Sequence, residues 1–145
     1  MIPTKEEWNY ALEERHGKEL HKAFSSATVA VCGLGGLGSN IAIALARAGV
    51  GRLILIDFDR VDITNLHRQQ YKASQIGLYK TEALAENLKE IAPYISLELH
   101  TERITEENYY EKEEDNEPEL PKESGKNVPL VPHDVKIRAL GQKGP

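Results

Sequence analysis

The chain has 145 residues, 40% hydrophobic and 28% charged, with a formal net charge of -5. That length and mixture suit one domain with a real core plus a tail, while the acidic balance, without any run of Lys and Arg, argues against a nucleic-acid surface. No apolar stretch approaches the length of a membrane span, and the single Cys32 rules out an internal disulfide and a CxxC zinc site.

From the amino terminus, Thr4 and Glu7 have the spacing of a capping box. Trp8, Ala11, Leu12, Leu20 and Phe24 suggest an amphipathic helix through about His21, with Gly17 as its weak point, so residues 1–26 read as a helical arm. The first residues carry Glu6, Glu7 and Trp8 rather than a basic apolar leader, and a cytoplasmic protein is expected. A strand over Thr28–Cys32 follows, then a helix over 37–48 closing on Gly49, a strand over 52–57, a polar connection, a helix over about 78–91 and a strand over 95–100. The order is β-α-β-α-β. The first two strands are continuous apolar runs, which is how strands covered on both faces read. The fold class is therefore α/β, a Rossmann-like parallel sheet with an N-terminal helix and an irregular C-terminal tail, its nucleotide-binding part spanning residues 27–108.

Beyond residue 108 the character changes. Residues 109–125 hold seven acidic residues against two lysines, and five of the chain's seven prolines lie at 118, 121, 129, 132 and 145. Little there buries enough apolar surface to offset ordering entropy, so 109–145 is expected to be mainly disordered or loosely docked. Short extended pieces are possible at 128–131 and 135–140, but with few apolar residues apiece they are not counted as strands of the sheet.

The stretch from Val29 to Asn40 carries the chemistry. An apolar strand enters a turn matching G-x-G-x-x-G at Gly33, Gly35 and Gly38, with Gly36 between them, and leaves as a helix. Glycine here permits positive φ and lets backbone approach a phosphate, while the amides opening the helix face the anion. The next apolar run ends on Asp57, at the distance where such folds hold a ribose. Cys32, just before the glycines, reads as a small buried thiol. The turn alone leaves a nicotinamide or flavin site open beside a mononucleotide site.

The connection after the second strand narrows this choice. It carries Asp57, Asp59, Asn65, Arg68 and Gln69, with Lys80 following. Asp57 or Asp59 can accept from ribose hydroxyls. Arg68 and Lys80 can neutralise phosphate oxygens, and Asn65 and Gln69 can orient through amide hydrogen bonds. The five histidines, at 16, 21, 67, 100 and 133, show no ligand-like spacing, so no metal site is read from them.

At Gly33-Leu-Gly-Gly-Leu-Gly-Ser39, Leu55-Ile-Asp57-Phe-Asp59, Asn65-Leu-His-Arg68-Gln69 and Gly77-Leu-Tyr-Lys80 the chain resembles the ThiF/MoeB-like adenylyltransferases, relatives of ubiquitin-activating enzymes. Within that family the likeness is to the ThiF type that adenylates the thiamin-pathway sulfur carrier protein. The resemblance implies that ATP is the nucleotide and that a ubiquitin-like sulfur carrier is the partner. Gly35, Gly36 and Gly38 would line the phosphates, with Gly33 in the same cofactor-binding turn, Asp57 would hold the ribose, and Asp59 would be a second carboxylate. Arg68 and Lys80 would be the catalytic cations, supported by Asn65 and Gln69. It also implies a homodimer in which Arg15 reaches the partner's nucleotide, and a fourth strand ending in an aspartate that helps hold Mg2+. No such aspartate is recognisable after residue 108. Either that segment is truncated or out of register, or the chain is a short variant that keeps the nucleotide and loses transfer.

Overall fold

The computed structural model describes residues 1–103 and the strand formed by residues 134–138. The helical arm is two helices, α1 (Lys5–His16) and α2 (Lys18–Ser26). The capping box forms at the start of α1: Thr4 Oγ1 accepts from the Glu7 amide at 3.2 Å, and Glu7 Oε2 accepts from the Thr4 amide at 2.9 Å. Gly17, at φ +87°, breaks the helix expected to run through it. The arm packs at the far end of the core through Trp8 and Leu12.

Strand β1 (Thr28–Cys32) leads through the glycine turn into α3 (Gly36–Ala48). Then come β2 (Arg52–Ile56), two short 3-10 turns at Ile63–Asn65 and Ala73–Gln75, α4 (Lys80–Ile91) and β3 (Ser96–His100). Val29, Val31, Leu53 and Leu55 form one face of the sheet and pack with Ala42 and Ala46 of α3 and Ala83, Leu84 and Leu88 of α4. Each such large apolar side chain contributes about 1.5–3 kcal/mol on burial. The other face carries Ala30, Cys32, Ile54 and Ile56, with Cys32 buried among them. Among the described residues, no helix is long and apolar enough to cross a membrane.

One expectation is corrected. The tail contributes a fourth strand, β4 (Asp134–Arg138), parallel to β1 with Val135 opposite Val29 and Ile137 opposite Val31. The four parallel strands run in the order β3-β2-β1-β4. An open edge of β1 offers a full row of backbone donors and acceptors, and pairing with it compensates for a strand holding only two apolar residues. The rest of the tail, including the piece expected at 128–131, lies outside the described residues.

Candidate functional site

In a sheet of this order the chain turns back at β1, and ligands bind beyond the carboxyl ends of the strands at that reversal. The glycine turn sits there. Gly33 takes φ +88° and donates its amide to Ile56 O at 2.8 Å, so the turn is tied to the end of β2. The first bond of the α3 ladder is Ser39 N–H to Gly35 O at 3.0 Å. The amides of Gly36, Leu37 and Gly38 therefore lack an intrahelical acceptor and stand at the positive end of the helix dipole.

Leu34, between the first two glycines, is held at both ends of its backbone. Its amide donates to Asp57 Oδ2 at 2.7 Å, and its carbonyl accepts from the Tyr71 hydroxyl at 2.6 Å. Asp57 Oδ1 accepts the Asp59 amide at 2.7 Å. Asp57 thus shapes the turn, and each of its oxygens keeps a lone pair for a ribose hydroxyl. Burial, reinforced by the nearby Asp57 carboxylate, pushes the Tyr71 phenol far above its ordinary range, so the hydroxyl remains a donor.

Arg68 lies directly on the turn. A methyl group added at Gly36 would meet its Nη1 at 2.6 Å, while Nη2 donates to Asn65 Oδ1 at 3.3 Å. Gln69 is buried beside Gly35, with its Nε2 3.8 Å from where a Cβ would stand and its Oε1 without a hydrogen-bond partner. Lys80 opens α4 and is only 6% exposed. Its amide donates to Asp59 O at 3.0 Å and its Nζ lies 3.9 Å from Asp59 Oδ2, a loose approach that leaves ammonium donors for another acceptor. The Lys80 position is set by an antiparallel bridge between Arg60 and Tyr79, with the Arg60 guanidinium 3.9 Å from the Tyr79 ring centroid. In the connection between these residues, Asp62 caps the first 3-10 turn, and its bonds from the Thr64 side chain and amide hold its carboxyl below the usual value.

The structure therefore gathers Gly33, Gly35, Gly36, Asp57, Asp59, Asn65, Arg68, Gln69 and Lys80 around the turn, with Gly38 buried in the first turn of α3. The chemistry of these residues suits a nucleoside triphosphate: glycine leaves the approach open, helix amides and two cations are donors for phosphate oxygens, and Gln69 keeps a buried acceptor free. Arg15 is not among them. It lies with Trp8, Leu12, Arg47 and Ile91 near the other end of α3, about 16 Å of helix from Gly36.

Among the described residues, a metal finds no matching set of ligands. β4 occupies the fourth-strand position, but Asp134 pairs with Thr28 at the end remote from the turn, and Arg138 stands opposite Cys32. Residues 135–145 contain no Asp or Glu. Among the described residues no group of three His, Cys, Asp or Glu is arranged to hold an ion.

Several residues at the site were not singled out in the sequence. Ser39, Asn40, Gln70 and Tyr71 all hydrogen-bond into the turn or into the Arg68 segment. Their adjacency to the glycines and to Gln69 was the available signal.

A parallel sheet reversing at a glycine turn, with an arginine side chain resting on that turn, defines a Rossmann-like α/β fold. The chain belongs to the ThiF family, whose model matches residues 8–118. It is 46% identical over 78 residues to ubiquitin-like modifier-activating enzyme 5 of Caenorhabditis elegans, covering 54% of this chain and 19% of the relative. It is 40% identical over 91 residues to the adenylyltransferase and sulfurtransferase UBA4 of Lodderomyces elongisporus, covering 62% and 20%. Among solved structures, the E. coli tRNA N6-threonylcarbamoyladenosine dehydratase TcdA in complex with ATP has 30% identity and a TM-score of 0.71, with 79% of this chain and 48% of that one covered. The chain thus spans about a fifth of the length of these curated relatives and about half of the dehydratase.

Proposed function

We propose that the chain binds ATP at the glycine turn and adenylates the C-terminal glycine carboxylate of a ubiquitin-like sulfur carrier protein of the thiamin-biosynthesis type. One observation carries the reading: the Arg68 guanidinium rests on Gly36 at the open end of α3, over the amides that would receive phosphate. The dehydratase solved with ATP and the relatives named as modifier-activating and adenylyltransferase enzymes support it.

In this reading the carrier carboxylate attacks the α-phosphorus of ATP. A new P–O bond forms, the bond to the bridging oxygen breaks, and pyrophosphate leaves with the electron pair. Arg68 and Lys80 stabilise charge as it builds on the phosphate oxygens, Asp57 accepts from the ribose, and Asn65 and Gln69 hold the cation-bearing segment in register. Arg15 serves the partner's nucleotide within a homodimer, since it is remote from the turn of its own chain. The reaction is assigned to the cytoplasm.

The position of Asp134 favours a second reading, a nucleotide-binding member of the family that lacks transfer because its fourth strand brings no carboxylate to the turn. Carrier-dependent exchange of labelled pyrophosphate into ATP separates the two. Exchange supports adenylation. ATP-dependent thermal stabilisation without exchange supports the binding-only reading, and absence of both in folded protein defeats each.

A further inference from the structure

We infer that Asn40 is a positioning residue for Arg68, latching the Arg68 backbone to the same turn of α3 on which its guanidinium rests. The Asn40 Nδ2 donates to Gly36 O at 2.5 Å and to Arg68 O at 3.1 Å. Its Oδ1 accepts from Gln70 Nε2 at 2.7 Å. The neighbouring Ser39 Oγ donates to Gly35 O at 2.5 Å and accepts the Gln70 amide at 3.2 Å. Two consecutive residues of α3 thus grip the backbone on either side of Gln69. From the opposite side, Asn87 Nδ2 of α4 donates to Gln70 O at 2.9 Å and pairs with Gln75, whose Nε2 donates to Asn87 Oδ1 at 2.8 Å.

The contacts close a loop. Gly36 binds Asn40, Asn40 binds the Arg68 carbonyl, and the Arg68 guanidinium returns to Gly36. An arginine side chain has about 2 kcal/mol of rotamer entropy to lose, and a fixed backbone reduces what must be ordered when phosphate arrives. Asparagine is a poor choice for a helix interior, because its side chain competes for helix carbonyls as it does here at Gly36. A tertiary task explains its presence. Asn40 is exposed, so its contribution lies in these bonds rather than in core packing.

The inference rests on Arg68 serving the nucleotide, and the test keeps the two apart. The full chain, N40A, the near-isosteric N40D, R68A and N40A/R68A are compared by ATP titration, and N40A is compared with the unaltered chain by backbone 15N relaxation without nucleotide. N40A and N40D are each expected to weaken ATP binding about tenfold, N40D because it keeps the acceptor for Gln70 but loses both donated bonds. In the R68A background, N40A is expected to change affinity less than about twofold, since its effect passes through Arg68. Loss of order at residues 68–70 in N40A is expected without nucleotide. Equal weakening with and without Arg68, full affinity in N40D, or unchanged order at 68–70 overturns the positioning role. If the unaltered chain has no ATP affinity, the functional reading falls, and the relaxation comparison still decides the latch.

Discussion

The two ends of the sheet use glycine in opposite ways. At the amino end, a methyl group added at Gly51 would stand 2.0 Å from the Ser25 carbonyl oxygen, and one at Gly49 would stand 3.1 Å from Leu12 Cδ1. Those glycines make room for the chain itself, so that α1 and α2 close the core. At the carboxyl end, a methyl at Gly35 would meet only ordinary contact, and one at Gly36 would meet the tip of a flexible arginine. Backbone packing does not require those glycines. Similar residues thus mark a structural end and the proposed ligand end, and the neighbour each Cβ would meet tells them apart.

The sharpest test of this contrast is removal of a cation. R68A or K80A is expected to lower pyrophosphate exchange by about 100-fold or more while leaving the melting temperature within a few degrees for exposed Arg68. Retained exchange would remove the ligand end's chemical role. At the structural end, L12A is expected to cost about 3 kcal/mol in urea unfolding and to leave ATP affinity unchanged. An L12A protein that unfolds normally but loses ATP would show that the two ends are not separable.

G36A probes the boundary between them. Its methyl displaces the guanidinium, so about a tenfold loss of ATP affinity is expected by calorimetry with little loss of stability. The smallest effect is expected for Y71F, about 1 kcal/mol, because the Leu34 carbonyl loses its donor. Because the folded-state phenol is raised above its unfolded value, the stability linked to Tyr71 ionisation is complete below about pH 10 and is lost as pH rises beyond it. The unfolding free energy measured from pH 8 to 11 should therefore fall less steeply at the alkaline end in Y71F than in the unaltered chain.

Legibility followed the range of the interactions. The capping box at Thr4 and Glu7, the apolar run at Thr28–Cys32 and the glycine turn are local, and each was readable from neighbouring residues. Gly17 was recognised as a weak point, yet whether it would bend the helix or split it depended on how Leu12 and His21 pack around Gly49. β4 has the alternation of a strand in Val135 and Ile137, but its apolar content alone does not distinguish an extended tail from a paired strand. The open edge of β1 made that choice.

The candidate site divides in the same way. That glycines, aspartates, an arginine and a lysine would be candidates for one site was legible because the motifs follow one another along a β-α-β path. What the chain by itself determined is the set of local elements and the chemistry they carry, because caps, turns and apolar periodicity act over a few residues. Only the tertiary structure placed Arg68 on Gly36, latched it through Asn40 and put Asp134 at the end of β4 remote from the glycine turn. Those outcomes depend on strand register and on contacts between residues up to 106 positions apart, as in the pairing of Thr28 with Asp134, and no local pattern encodes them.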